Sequence, residues 1–339
     1  MVKIKDIAEK CQTSTATVSK ALHNSPELSK ETIERIQKTA EEMGYVPNAY
    51  ARALKMKRSY SIGVIFYDAT QGGGLRHEYF SSILDSLKVE AESKGYAITF
   101  LSKNPNASMS YVQLARFRNM DGVVIVSEDF SSPDVIELVN SGLPVVTIDY
   151  IFSSCSAVMS DNNEGMARLV NYVAKLGHTK IAYISGDETD VTRKRLASFY
   201  RGMKEQGLIV RPEYLVPGHY HDPKASGRAT KELLTRTDRP TCIIYPDDIS
   251  LLGGYTALQE ASLRVPEDVS IVGYDGVEIS RIFRPKITTY VQDSKALGEK
   301  AARLLIERIE EPNLFIPQVY YVEGRIQEGK TTDVVTDEI

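Results

Sequence analysis

The sequence predicts an α/β protein, with two doubly wound parallel-sheet lobes preceded by a small all-α domain. From Ser61 onwards, short apolar runs alternate with amphipathic helical stretches. Near-continuous apolar strands of this kind are typical of parallel sheets that helices cover on both faces. The chain has 339 residues, which is enough for two or three domains with cores of their own.

The stretch from Asp6 to Leu22 predicts two short helices joined by a tight polar turn. Ser14 is a good N-cap for the second helix because its hydroxyl can accept the N–H of Thr17. The outer face of that helix carries small and polar side chains, which suit close approach to base edges in a major groove. These side chains are Thr15, Ala16, Thr17, Ser19 and Lys20. Packing in a helical bundle would give the same pattern, so the pattern alone leaves DNA binding open.

A third helix is predicted at about 30–43, with Ser29 as its N-cap and Gly44 at its end. Beyond Pro47, the segment 49–55 is long enough for only two helical turns, and a helix that short is marginal in water. This segment and the residues after it carry Arg52, Lys55, Lys57 and Arg58. We expect it to order against a phosphate backbone or to remain a flexible basic linker.

Charge is unevenly distributed along the chain. Residues 1–60 hold eleven Lys and Arg against seven Asp and Glu, a balance of +4, and the formal net charge of −4 leaves −8 for the remainder. A basic N-terminal segment followed by an acidic remainder is typical of a protein that binds nucleic acid, because contacts to phosphates supply most of the non-specific affinity. A solvated charged surface is the alternative.

The body divides into two series of elements with a break near 158–161. Strands are predicted at 62–67, 97–101, 123–126, 145–148, 181–184, 214–216, 241–245, 270–273, 288–291 and 319–323. Helices separate most of them, and one spans about 294–309. The last elements are too few for a third domain, so we expect them to return and complete the two lobes.

Polar residues follow the strands at the ends where open parallel sheets bind ligands. Asp68, Asp149, Asp247, Asp248 and Asp275 occupy such positions. Together with Arg195 and Phe80 they would supply the acceptors, donors and aromatic face that a hydroxyl-rich ligand needs. Asp is also an ordinary loop former, so any single position is weaker evidence than the set.

An ordered set of motifs closely resembles the lactose-repressor (LacI/GalR) family of bacterial transcription regulators. The resemblance covers about residues 2–327 and rests on IKDIAEKCQTSTATVSKAL, IGVIFYD, DGVVIVSE, SDNNEGMA, RPTCIIYPDD and VSIVGYDG, among others. It implies a dimer that binds a palindromic operator. It also implies a helix-turn-helix domain and a hinge helix, followed by a periplasmic-binding-protein-like effector core. The predicted bounds are 1–46 for the helix-turn-helix, 47–60 for the hinge, 61–160 plus 291–320 for the N-lobe, 161–290 plus 321–330 for the C-lobe, and 331–339 for a polar tail.

The resemblance also assigns DNA-contacting positions. Base reading falls to Thr15, Ala16 and Lys20, where Lys20 replaces a more usual Arg and so lacks the rigid bidentate fork. Leu54 matches the hinge leucine that wedges into the minor groove and kinks the operator. The remaining expected DNA-binding residues are Lys5, Ser14, Thr17, His23, Asn48, Ala51 and Lys55.

For the effector, the family's sugar-contact positions match one aromatic residue, Phe80, and five polar ones. The polar positions are Asp149, Arg195, Asp247, Asp275 and Gln292. Tyr79 and His221 are further effector-binding candidates. No metal site, catalytic residue or cofactor is expected, and the three cysteines, Cys11, Cys155 and Cys242, predict small buried thiols in a reducing cytosol.

Three departures from the family pattern stand out. Gln12 replaces a turn glycine and must adopt a left-handed backbone or reshape the turn. The loop after the first strand is about six residues longer than usual; its Gly72, Gly73 and Gly74 are flexible, and Arg76 and His77 are within reach of the cleft mouth or simply exposed. The paired acids of the family's usual GYDD motif are Asp275 and Gly276 here, so only the first acid is present.

The sequence therefore predicts a transcriptional repressor of carbohydrate-utilisation genes, cytoplasmic and at the nucleoid when bound to DNA. A sugar-like ligand in the interlobe cleft would control its operator affinity, by release rather than co-repression. Purines, sugar phosphates or a protein are alternative co-effectors. A soluble sugar-binding protein and a sugar-converting enzyme are the rival classes; no signal peptide, nucleophile or phosphate loop supports them. The polar tail lacks leucine heptads, which favours a homodimer over a tetramer.

Overall fold

The computed structural model describes residues 2–22, 24–45, 58–67, 74–102, 109–314 and 316–335. The chain divides into two compact units, Met1–Ser59 and Tyr60–Ile339. None of the helices in these described ranges is long and apolar enough to cross a membrane. The three cysteines are buried free thiols, as predicted.

Three helices form the first unit: α1 (Ile4–Lys10), α2 (Thr15–Leu22) and α3 (Lys30–Glu42). Their apolar faces meet in one small core of buried residues, which are Ile7, Ala8, Cys11, Val18, Ala21, Ile36 and Ala40. The fold of this unit therefore follows from the helical spacing of its apolar residues.

Both predicted N-caps of this unit are confirmed. The Ser14 hydroxyl accepts the backbone N–H of Thr17 at 3.1 Å, and the Ser29 hydroxyl accepts that of Thr32 at 3.2 Å. Each cap satisfies one of the N–H groups that a helix start leaves without a partner. Gly44 follows the third helix with φ +66°, the left-handed conformation that glycine adopts at low cost.

In the second unit, a six-stranded parallel sheet forms the N-lobe. Its strand order is β11-β5-β4-β3-β1-β2. The strands are β1 (Ser61–Phe66), β2 (Ala97–Phe100), β3 (Gly122–Ser127), β4 (Val145–Ile148), β5 (Ser156–Ser160) and β11 (Val319–Val322). The helices are α4 (Glu78–Ser93), α5 (Tyr111–Phe117), α6 (Pro133–Val139) and α12 (Ser294–Glu310). Separate apolar clusters, one around α4 and α12 and the other around α5 and α6, cover the two faces.

A second six-stranded sheet forms the C-lobe, in the order β12-β10-β9-β8-β6-β7. The strands are β6 (Ile181–Ile184), β7 (Leu215–Val216), β8 (Cys242–Ile244), β9 (Ser270–Asp275), β10 (Thr288–Val291) and β12 (Arg325–Gln327). The helices are α7 (Asn162–Lys175), α8 (Asp190–Glu205), α9 (Pro223–Leu234), α10 (Asp248–Glu260) and the short α11 (Ile279–Ile282). Helices α7 and α8 cover one face, and α9 and α10 cover the other.

The chain passes between the two lobes three times. It leaves the N-lobe after β5, returns between β10 and α12, and crosses again between β11 and β12. The expected return of the last elements is therefore present. The boundary suggested between residues 320 and 321 falls inside β11, because Tyr321 and Val322 pair with Met159 and Ser160 of the N-lobe sheet.

Two short strands differ from the prediction. Strand β5 was not predicted; its five residues are all buried, and it ends at the break expected near 158–161, after which the chain enters the C-lobe. Its sequence, SAVMS, is too short and too polar at its ends to stand out as an apolar run. Strand β12 pairs antiparallel with β10 and is three residues long, so its pairing could not be read from periodicity.

Gln12 adopts the left-handed backbone, with φ +51°, in the turn between α1 and α2. Because a side chain in this region costs roughly 1 kcal/mol relative to glycine, we expect Gln12→Gly to stabilise the first unit by about 0.5–1 kcal/mol. Hydrogen exchange of the α1 and α2 amides in the full chain should slow by roughly two- to fivefold. Thr13→Gly, at a neighbouring position without a positive φ, should not slow it. If the amides exchanged equally fast in Gln12→Gly and Thr13→Gly, the backbone at Gln12 would not be strained.

His178 is buried before β6, and its Nδ1 lies 2.9 Å from the Thr241 hydroxyl. Burial lowers its pKa from 6.5 to about 4, although Asp333 acts in the opposite direction. The unfolded chain therefore binds a proton between about pH 6.5 and 4 that the folded chain excludes, so stability falls as the pH drops through this window. Between pH 8 and pH 5, wild type should lose up to about 2 kcal/mol more free energy of unfolding than His178→Gln, which lacks the titrating group. Urea unfolding of both proteins at pH 5 and pH 8 measures this difference. Parallel pH profiles would contradict it.

Candidate functional site

The exposed face of α2 presents the residues that the sequence assigned to base reading. Thr15, Ala16 and Lys20 are exposed, whereas Val18 and Ala21 of the same helix are buried in the core. Thr17 is half-buried, and its hydroxyl lies 2.9 Å from that of Ser14, so both side chains hold the start of the helix. Lys5 on α1 is exposed as well.

Lys20 forms a hydrogen-bonded ion pair with Glu27. This hydrogen bond from the ammonium holds the pKa of the Glu27 carboxyl below its usual value. Exposed pairs of this kind contribute little to stability, so a base or phosphate can displace the glutamate. The remaining DNA-binding candidates, which are His23, Asn48, Ala51, Leu54 and Lys55, lie outside the described residues.

In the second unit, the buried guanidinium of Arg195 is the centre of a polar cluster between α8 and the strand ends. Its Nε donates to Asn162 Oδ1 at 2.8 Å, and Nη1 donates to the Pro246 carbonyl at 3.0 Å. It also lies 3.7 Å from the centroid of the Tyr274 ring. Burial alone would lower the pKa of Arg195, but Tyr220, Tyr274 and Asp275 together raise it, so the group remains a cation.

Asp275, at the end of β9, links Arg195 to Gln292. Its Oδ1 lies 3.5 Å from Arg195 Nη2 and accepts a hydrogen bond from Gln292 Nε2 at 2.7 Å. Gln292 is 6% exposed, and its Oε1 has no hydrogen-bond partner among the described residues. The backbone of Asp275 has φ +94°, a conformation rare for residues with a side chain. Three of the predicted effector residues thus form one connected group.

Asp149 and Tyr79 form the corresponding polar pair in the N-lobe. Asp149 accepts the hydroxyl of Tyr79 at 3.2 Å, and its other oxygen accepts the N–H and the hydroxyl of Ser160 at 2.7 and 2.5 Å. Burial, followed by the charge of Asp149, raises the pKa of Tyr79 well above its usual value. Tyr79 therefore remains a hydroxyl that can donate or accept.

Phe80 belongs to an aromatic group at the start of α4. Its ring centroid is 5.2 Å from that of Phe66 and 4.7 Å from that of His77. His77 in turn packs against His221 of the C-lobe, with ring centroids 3.6 Å apart. The two lobes are thus in contact through two histidines beside the aromatic wall. Residues 68–73 of the preceding long loop, with Gly72 and Gly73, lie outside the described residues; Gly74 and Arg76 form a short 3-10 turn.

Asp247 is completely buried and acts as the N-cap of α10. Its carboxylate accepts the N–H and hydroxyl of Ser250 at 2.7 and 2.8 Å and the N–H of His221 at 2.9 Å. These bonds hold the His221 loop in place, with φ +52° at His221. The structure therefore places Asp247 behind His221, with its oxygens already engaged.

Sequence reasoning missed several residues that complete this cluster. Asn162 and Tyr274 hold the Arg195 guanidinium from two sides, and Ser160 holds Asp149. Asn162 and Tyr274 lie in quoted motifs, SDNNEGMA and VSIVGYDG, but only long-range packing shows which side chain they contact. His77 was noted as near the cleft mouth and not assigned to the effector. The structure buries it against His221.

The eight predicted effector residues fall into three neighbouring groups on the two lobes. They present acceptors at Asp149, Asp275 and Gln292, donors at Tyr79 and Arg195, and flat apolar rings at Phe80 and its neighbours. A small ligand with several hydroxyl groups and one apolar face matches this chemistry. No cluster of three or more His, Cys, Asp or Glu side chains that could hold a metal ion occurs within the described ranges.

Comparison with known families and proteins agrees with this architecture. Residues 3–48 match the model of bacterial regulatory proteins of the lacI family, and residues 170–332 match the periplasmic binding protein-like domain. The transcriptional repressor PurR of Vibrio vulnificus is 30% identical over 318 residues, which cover 92% of this chain and 93% of the relative. The match thus extends over nearly the full length of both chains.

Solved structures show the same fold. The lac repressor dimer bound to operator and the anti-inducer ONPF has a TM-score of 0.83 at 25% identity, covering 98% of this chain and 99% of that one. The regulator CelR in complex with cellobiose has a TM-score of 0.70 at 22% identity, covering 98% and 100%. These relatives are transcriptional regulators and not enzymes; PurR and the lac repressor are repressors. This chain belongs to the LacI family of bacterial transcriptional regulators.

Proposed function

We propose that this repressor binds a palindromic operator as a homodimer and that a sugar-like ligand in the interlobe cleft controls its affinity, so that it regulates carbohydrate-utilisation genes. The observation that carries the proposal is the buried Arg195–Asp275–Gln292 group opposite Asp149, Tyr79 and Phe80. The N–H groups of an arginine and the oxygens of a carboxylate, held in fixed positions, bind vicinal hydroxyls, and an aromatic ring covers the apolar face of a pyranose. The CelR–cellobiose complex, which shares the fold, supports a sugar ligand.

Ligand control follows from the position of these residues on both lobes. A ligand held by Asp149 on one lobe and by Asp275 on the other favours the closed arrangement of the lobes. An equilibrium between open and closed lobes shifts only as far as the ligand binds the two states unequally. We propose that closure alters the hinge segment, residues 47–60, and that ligand binding thereby releases the operator.

A purine is the second candidate effector. The ring centroid of Phe80 lies 5.2 Å from that of Phe66 and 5.3 Å from that of Tyr79, and this row of aromatic rings suits a planar heterocycle as well as a sugar. A thermal-shift screen with mono- and disaccharides, sugar phosphates and purine bases distinguishes the candidates, because a ligand of the folded state raises the melting temperature. A purine response without a sugar response would replace the sugar proposal.

The base-reading assignment predicts a change of specificity in Lys20→Arg. The guanidinium can bind guanine with two parallel hydrogen bonds that the ammonium cannot form, so the preferred operator should change at one base pair of each half-site. Selection from a random operator library measures this. Lys38→Arg, an exposed position on α3, is the matched control and should select the wild-type operator. If Lys20→Arg also returned the wild-type operator, Lys20 would not read a base.

The effector assignment predicts that Arg195→Lys loses ligand response but retains operator binding. Lysine keeps the charge near Asp275 but cannot reach Asn162, Pro246 and Asp275 at once, so the ligand concentration for half-maximal operator release should rise by about tenfold or more. Gel-shift titration with the ligand from the screen measures it. Arg193→Lys, an exposed neighbour on the same helix, should respond like wild type. An unchanged response in Arg195→Lys would place the ligand elsewhere.

A further inference from the structure

We propose that a cavity between the two lobes, beside the proposed effector residues, is a subsite for an anionic group, a phosphate or a carboxylate. The cavity has a volume of about 190 Å³, many times what one water molecule needs. Tyr79, Asp275 and Gln292 of the effector group line it on one side, so the inference deepens the proposed function and rests on it. Its other walls contain Glu78, Ser82, Arg281, Ser294, Lys295 and Arg325, among others.

Two long helices begin at this cavity. Helix α4 has 16 residues and starts at Glu78, and helix α12 has 17 residues and starts at Ser294. The positive ends of both helix dipoles therefore lie at the same space, which favours a negative charge, although Asp293 already caps α12. His77 provides no side-chain cap for α4, so its first N–H groups lack that usual acceptor. Ser82 and Ser294 join the two starts by a hydroxyl hydrogen bond of 2.8 Å.

Three cations surround the cavity, and their donors are largely unused. Arg325 makes no side-chain hydrogen bond or ion pair with the described residues. Arg281 donates once, to the Gly276 carbonyl at 3.3 Å, and Lys295 is 3.7 Å from Glu299. A phosphate or carboxylate could accept charge-assisted bonds from all three.

The acids on the walls are already engaged within the protein. Glu78 accepts the N–H of Glu278 at 2.6 Å, and Asp293 accepts the N–H of Ala296 at 3.0 Å. Asp275 is bonded to Gln292 and lies near Arg195. The three cations of the walls balance the charges of these three carboxylates, and the cations keep unused N–H donors, so the cavity offers an anion hydrogen bonds without a net negative charge.

Gln292 supplies an independent sign of a ligand. It lines the cavity, is 6% exposed, and its Oε1 lacks a hydrogen-bond partner within the described ranges. A buried acceptor without a partner is costly, and a ligand hydroxyl would satisfy it. A monohydrogen phosphate carries such a hydroxyl, and so does a sugar that bears the anionic group.

Such an anion would join the two lobes. The helix starts belong to the N-lobe, whereas Arg281 and Arg325 belong to the C-lobe, and Gln292 lies on the chain that returns between them. Bonds from both lobes to one anion stabilise the arrangement in which the lobes are close. The anionic group would therefore favour closure by its own binding energy, in addition to that of the hydroxyl contacts.

The experiment titrates the full chain, without DNA, with inorganic phosphate at constant ionic strength and follows binding by calorimetry and by the melting temperature. Wild type and Arg116→Gln, an exposed arginine on α5 away from the cavity, should bind phosphate alike. Arg325→Gln and Arg281→Gln should each weaken it by about tenfold or more. Both arginines are exposed, so melting of each variant without phosphate should match wild type and so exclude misfolding.

Glucose and glucose 6-phosphate distinguish the source of the anion. Tighter binding of the phosphorylated sugar, lost in Arg325→Gln, would show that the anion belongs to the effector. Phosphate binding that is lost in Arg325→Gln while neither sugar discriminates would show a separate anion at the same subsite. If phosphate and glucose 6-phosphate bound wild type and both variants equally, the subsite would be refuted. Operator binding and neutral-sugar response are measured separately, so failure here leaves the proposed function standing.

Discussion

The burial of the Arg195 guanidinium is the constraint on which the cleft depends. A buried cation is costly unless every donor is matched, and here the matching groups come from α7, the loop after β8, and the end of β9. Asn162, Pro246 and Asp275 are far apart in sequence, so their common partner fixes the start of α7 and the ends of β8 and β9 relative to one another. Asp275 then orients Gln292 at the chain's return to the N-lobe. The positions of the polar groups in the C-lobe wall thus follow from one side chain.

Three of the predicted effector residues, one on the N-lobe and two on the C-lobe, have a strained backbone. Asp149, His221 and Asp275 all have positive φ angles, between +52° and +94°, and none is a glycine. Such conformations cost of order 1–3 kcal/mol each and persist only where surrounding contacts hold them. For Asp149 the contacts are from Ser160, and for His221 from Asp247. Because this conformational free energy destabilises the fold, the positions of these residues are better explained by contact with a ligand than by stability.

The local sequence pattern was sufficient to predict most helices and strands, but it could not predict which strands pair or which side chains meet. Apolar spacing and capping residues predicted the three N-terminal helices, with Ser14 and Ser29 as caps, because these interactions span three residues. Strand β5 and the antiparallel β12 were missed because a short strand is defined by the neighbour it pairs with. Likewise, the sequence pointed to Arg195, but Asn162 and Tyr274 are its partners only through packing over distances of 33 and 79 positions in the chain.

The return of the chain to the N-lobe has a consequence for synthesis on the ribosome. Helix α12 packs against α4 and against the inner strands of the N-lobe sheet, where Leu297, Ala301 and Leu305 fill the core. Strand β11 completes that sheet only at residue 322. The lobe that emerges first must therefore keep an uncovered apolar face until nearly the whole of the second lobe has been translated. Because β12 completes the C-lobe sheet later still, at residue 327, neither lobe can finish its sheet before the C-terminal strands have been translated, and the apolar face left uncovered makes the nascent chain prone to aggregation.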